Sequence, residues 1–179
     1  HGGAAEIADS FFRDVGKKAD YITTIEMVDI FLPAFDMEEQ MAEDKQVEKH
    51  LEEIGAAIQA KKRWIQKTSL EEKAAHKMYR KMVGNAPETI WAAFQVTDEC
   101  VGCGICTRVC PAGCIRLEDQ HAVHSGEGCQ ACYACVHACP KAAVQFTLPN
   151  PEKNPTARYR NEHVTLCELV KSNDQTSED

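Results

Sequence analysis

The stretch CVGCGICTRVCP at residues 100–111 and its counterpart CQACYACVHACP at residues 129–140 decide how this chain is read. Both are C-x2-C-x2-C-x3-C-P, so Cys100, Cys103, Cys106, Cys110 and Pro111 recur 29 residues later as Cys129, Cys132, Cys135, Cys139 and Pro140. A spacing duplicated without a gap is not a product of chance. Disulfides need no such regularity, whereas the ligands of a metal cluster do, because they must converge on one small body. Zinc ligands usually come as two separated pairs and lack a duplicated Cys-Pro, so a structural zinc protein, which would be colourless, is the weaker reading. The flanks repeat as well: Val96 leads into the first run, and Ile115 and Leu117 after it correspond to Val144 and Phe146 after the second. Each half therefore reads strand, cysteine loop, short helix, strand. Small residues between the thiols, Gly102, Gly104, Ala131 and Ala134, let backbone N–H groups approach sulfur, and Pro111 and Pro140 end the loops by fixing φ.

With both runs extended, CVGCGICTRVCPAGCIRLED (100–119) and CQACYACVHACPKAAVQF (129–146), residues 94–147 resemble a bacterial-type ferredoxin with two 4Fe-4S clusters. The resemblance implies a small α+β domain of two βαβ-like halves related by a pseudo-twofold. In two-cluster ferredoxins of this pattern the fourth cysteine of each run ligates the other cluster. Carried over to this chain, that family rule assigns Cys100, Cys103, Cys106 and Cys139 to one cluster and Cys129, Cys132, Cys135 and Cys110 to the other. It also implies an iron-sulfur electron carrier of low potential, without catalytic residues of its own. Cys114 stands where the second half has Ala143 and is expected to be a small buried core residue rather than a ligand.

Composition bounds the remaining possibilities. A chain of 179 residues that is 44% hydrophobic and 27% charged is an ordinary globular mix, neither disordered nor fibrous. No run of eighteen or more apolar residues is present, so no membrane span is expected. Twenty Lys and Arg against twenty-eight Asp and Glu give a formal charge of -8, which argues against nucleic-acid binding and for redox partner proteins with basic docking surfaces. Ten cysteines, none before Cys100, imply a reducing, cytoplasmic compartment.

Elsewhere the patterns are α/β. Ala4, Ala8, Phe11, Phe12 and Val15 lie at helical spacing and end at Gly16, which suits a left-handed C-cap. Residues 21–28, rich in β-branched side chains, predict a buried parallel strand. Asp36 with Glu39 opens one or two helices over residues 37–62, Ser69 with Glu72 caps a helix to about Val83 stopped by Gly84, Asn85 and Pro87, and Thr165 with Glu168 caps a short terminal helix. The end, residues 172–179, reads as disordered.

HGGAAEIADSFF (1–12), ITTIEMV (22–28), LPAFDMEEQ (32–40) and RYRNEHVTLCELVKSN (158–173) resemble the flanks of flavodoxin-ferredoxin fusion proteins. This second resemblance implies an N-terminally truncated chain that begins after the fourth flavodoxin strand. FMN then belongs only to a longer protein that supplies the missing strands and phosphate loop, and the alternative function is the electron-transfer module of a larger flavin-containing oxidoreductase. The expected fold is thus a partial flavodoxin-like α/β segment over 1–66, a helical linker over 67–93, the two-cluster domain over 94–147 and a proline-containing tail over 148–179.

Minor candidates read more plainly. His121, His124 and His137 lie near the cysteines and are expected to be solvated loop residues. Tyr133, between two ligands, either shields a cluster from water or simply packs. Cys167 with His163 one turn earlier falls short of a metal site, and the Gly2–Gly3 helix start is a weak anion-site signal.

Overall fold

A computed structural model describes residues 3–32, 34–83, 93–126, 128–147 and 152–173. The chain divides into two compact units, His1–Met27 with Asp44–Ala86, and Val28–Glu43 with Pro87–Asp179.

In the first unit, α1 (Ala4–Asp14) ends in a Schellman arrangement: Gly16, at φ +72°, donates to Arg13 O at 2.9 Å and Lys17 donates to Phe12 O at 2.8 Å. The strand expected over 21–28 is corrected to β1 (Tyr21–Ile22), paired in parallel with β2 (Trp64–Ile65) and only half-buried. The reason lies in its partner. Gln66 still donates its N–H to Ile22 O at 2.9 Å, but beyond it the chain turns off towards Ser69. The Gln66 side chain takes over, its Oε1 accepting from the Thr24 N–H at 2.8 Å and from the Thr23 and Thr24 hydroxyls. Helix α3 (Val47–Gln59) leads into β2 at the end of the connection between the two strands, and α4 (Leu70–Val83) opens with the expected reciprocal cap, Ser69 N–H to Glu72 Oε2 and Glu72 N–H to Ser69 Oγ. The expected stop at Gly84, Asn85 and Pro87 lies outside the described residues.

The units also cut the chain elsewhere than at 66 and 93. Helix α4 is no linker, since it packs with the first unit, where Lys73 pairs with Glu6 at 3.2 Å. Residues 28–43 belong to the second unit because Leu32 and Met37 are fully buried in its core. Helix α2 (Met37–Ala42), capped by Asp36 Oδ1 on the Glu38 N–H at 2.9 Å, therefore stands apart from α3.

The second unit mixes short strands and helices. Strand β3 (Phe94–Val96) pairs antiparallel with β6 (Val144–Phe146), and β4 (Ile115–Glu118) with β5 (His121–His124). The β4–β5 turn is the two-residue kind, with Asp119 and Gln120 both at positive φ, as the twist of a tight hairpin demands. Helices α5 (Ile105–Val109) and α6 (Ala134–Ala138) carry cysteines and contribute the fully buried Val109 and Val136. Phe31, Phe94, Tyr133 and Phe146 form an aromatic cluster with centroids 4.8–6.0 Å apart. The tail expected as a separate segment over 148–179 also packs here: Ala157 is in the core, and α7 (Leu166–Ser172) starts with the predicted Thr165–Glu168 capping box. Of the end expected to be disordered, Ser172 closes that helix, and residues 174–179 lie outside the described part.

Candidate metal centre

None of the ten cysteines forms a disulfide. The two runs share one backbone course. Cys110 and Cys139 end α5 and α6 in extended conformation, at φ -78° and -70°. Left-handed residues recur 29 apart: Gly102 with Ala131, Gly104 with Tyr133, and Gly113 with Ala142, at φ between +48° and +70°. Left-handed backbone costs an L-residue about 1–2 kcal/mol. The second run therefore accepts at Ala131 and Tyr133 a strain that glycine relieves in the first.

These turns gather the thiols in two groups. Cys100, Cys103 and Cys106 line one cavity together with Cys139 from the other run, walled by Leu117, Ala122 and Val144. Burial pushes the Cys106 thiol above its ordinary range, and the nearby Cys139, Cys100 and Cys103 sulfurs add to the push. Cys135 is pushed up to about 12, first by burial and then by Cys110, Cys132 and Cys129. Sulfurs so held are poor hosts for several negative charges unless a cationic body sits among them, and an iron-sulfur core supplies one. Backbone N–H groups point at four of them. Ala122 donates to Cys100 Sγ at 3.4 Å, Cys114 to Cys110 Sγ at 3.3 Å, Ala131 to Cys129 Sγ at 3.4 Å and Ala143 to Cys139 Sγ at 3.2 Å. Donors of this kind stabilise negative charge on a ligand sulfur. The residues present thus fit an iron-sulfur group. Cys106 and Cys135 are buried, while Cys103 and Cys132 are exposed and give the outer edge of each group.

Cys114 is buried, as is Ala143 at the matching position, and burial raises its thiol to about 11. The histidines depart from the solvated loop expected of them. His121 and His124 are in β5, and His124 stacks on Phe94 at 5.1 Å with burial lowering its pKa. His137 is fixed in one tautomer: its Nδ1 accepts the Tyr159 N–H at 3.0 Å, so Nε2–H is the donor to Ile30 O at 3.1 Å. It ties residues 28–43 and the tail to α6. Tyr133 joins the aromatic cluster, where burial raises its hydroxyl pKa. Cys167 is exposed on α7, and Gly2 lies outside the described residues. Sequence reasoning missed the buried pair Arg158–Glu152, at 3.2 Å, because nothing local marks two charges in a proline-rich tail as interior.

Residues 93–140 match the family model of the 4Fe-4S dicluster domain. An uncharacterized ferredoxin of Methanocaldococcus jannaschii is 33% identical over 60 residues, which cover 31% of this chain and 78% of that protein. The chain belongs to the 4Fe-4S ferredoxins. Ferredoxin Fdx2 of Sorangium cellulosum matches this ferredoxin at 35% identity over 66 residues, 34% of the chain and 62% of its own length. One component of an ion-translocating oxidoreductase complex of Methanosarcina acetivorans matches at 46% over 47 residues, 26% of the chain. The ferredoxin spans only 18% of that component and 19% of a polyferredoxin of Methanothermus fervidus. No solved structure matches it significantly. No described helix is long and apolar enough to cross a membrane. The role that follows for this part of the chain is iron-sulfur electron transfer.

Proposed function

We propose that this ferredoxin holds two 4Fe-4S clusters, one on Cys100, Cys103, Cys106 and Cys139 and one on Cys129, Cys132, Cys135 and Cys110, and passes low-potential electrons between redox partner proteins. The observation that carries the reading is the cavity in which Cys139 joins the first three thiols of the other run. When bound, each cluster supplies a one-electron change. The chain's own part is to hold the sulfurs, keep water from the buried ones, and offer an edge at Cys103 and Cys132. Each oxidised cluster with four thiolates adds about two negative charges, taking -8 to about -12 and favouring a basic face on the partner. Anaerobic purification should yield about eight iron and eight sulfide per chain, since eight ligands form two complete sets. A value near four overturns the two-cluster reading.

A second reading, a module of a larger flavin-containing oxidoreductase, draws on the parallel pairing of β1 with β2 around α3, the connection used by flavodoxin-like sheets. A longer protein that adds the phosphate loop should bind one FMN in a fluorescence titration, and a flavin-free one removes this reading.

A further inference from the structure

The carbonyl of Ala142 and the N–H of Ala143 belong to one peptide unit. That N–H donates to Cys139 Sγ at 3.2 Å, and that oxygen accepts from Arg158 Nη2 at 3.2 Å. The same Nη2 donates to Val144 O at 3.3 Å, while Nη1 donates to Ala157 O at 2.9 Å and pairs with Glu152 Oε2 at 3.2 Å. Glu152 Oε1 in turn accepts the Phe146 N–H at 2.8 Å. With side chains only 9% and 2% exposed, Arg158 and Glu152 are held dry and in one geometry, where salt screens little.

A cation on an amide oxygen draws density from the nitrogen and makes the N–H a stronger donor, and linked hydrogen bonds strengthen one another by about 10–30% each. A stronger N–H to sulfur bond favours the more negative, reduced state and raises the potential. The matching bond in the first run, Cys114 N–H to Cys110 Sγ, is formed by the Gly113–Cys114 peptide, whereas Arg158 is committed to the second-run peptide. The two halves, alike in backbone, thus differ in what polarises this bond.

We propose that Arg158 is a positioning residue acting through the Ala142–Ala143 peptide on Cys139, and that it raises the potential of the cluster Cys139 ligates above that of the other. This rests on Cys139 being a cluster ligand. Its consequence is direction: a residue from outside the repeat makes one of two duplicate clusters the better electron acceptor.

The test uses the anaerobically purified full chain and its Arg158→Lys and Glu152→Gln/Arg158→Met variants. The double variant exchanges a neutral ion pair for a neutral pair, so a shift in it reports the local bonds and not a change in net charge. Iron is counted first. Stepwise reduction is then followed by the hyperfine-shifted cysteine β-CH2 proton signals, which report each cluster separately. In the double variant the reduction equilibrium of the cluster bearing Cys139 should fall about tenfold, about 59 mV for one electron. The other cluster should stay within about twofold, and Arg158→Lys, which keeps charge without the planar fork, should fall between. Full iron with no shift, or an equal shift in both clusters, overturns the proposal. Should the double variant lose iron, Arg158→Lys decides alone, and an unshifted potential there overturns it. A shift confined to the cluster of Cys129, Cys132 and Cys135 supports the action of Arg158 while overturning the placement of Cys139 in the other set.

Discussion

Cys139→Ala should halve the iron content, from about eight to about four per chain, and the cluster lost should be the one on Cys100, Cys103 and Cys106. The cysteine removed lies 33 residues beyond Cys106, yet its sulfur lines the cavity of those three thiols. Its own run keeps Cys129, Cys132 and Cys135, to which Cys110 comes near enough to raise the Cys135 thiol. Cys110→Ala should do the converse. Both losses are read by iron analysis and by Mössbauer or EPR spectra of the reduced protein. If Cys139→Ala instead strips the cluster of Cys129, Cys132 and Cys135, the exchange of fourth ligands is wrong and each run closes on itself.

Much of this candidate site was legible because the first three thiols of each run are local to one another, whereas the exchange of the fourth came only from the family resemblance. A spacing of two or three residues between thiols fixes where sulfurs can point, and the duplication at 29 residues tells the same story twice. Helix ends were legible for the same reason: Gly16, Ser69 with Glu72, and Thr165 with Glu168 make bonds within four residues of themselves. The contacts that shape the second unit are of another kind. His137 reaches Ile30 across 107 positions and Asn154 reaches Asp36 across 118, and no periodicity in either segment announces the partner. Met37 reads as the start of the helices expected over 37–62, whereas its burial, with that of Leu32, belongs to the core around Phe94 and Phe146. The strand at 21–28 failed differently. Its β-branched residues are real strand formers, but pairing needs a neighbour, and β2 provides only two residues.

The backbone that carries the first run sets a second large effect. At Gly102, φ is +64° and a Cβ would lie 2.3 Å from Gln120 O, a backbone atom of the β4–β5 turn. That oxygen has little freedom, because Asp119 and Gln120 must both keep positive φ for the hairpin to close. Gly102→Ala should therefore cost the left-handed penalty of about 1–2 kcal/mol and, in addition, about 1–3 kcal/mol for forcing turn and loop apart. Gly104 is the control. At φ +70° it has the same backbone demand, but its Cβ would meet Leu117 Cδ1 at 3.5 Å and Thr107 Oγ1 at 3.8 Å, both ordinary contacts, and the matching position is occupied by Tyr133. Gly104→Ala should retain nearly all its iron, while Gly102→Ala should hold less of the cluster on Cys100, Cys103 and Cys106 and release what it holds faster on warming. The measurement is iron content together with the rate at which cluster absorbance bleaches. Equal retention and equal rates in the two variants would show that the Gln120 carbonyl yields, and that Gly102 is required for its φ alone.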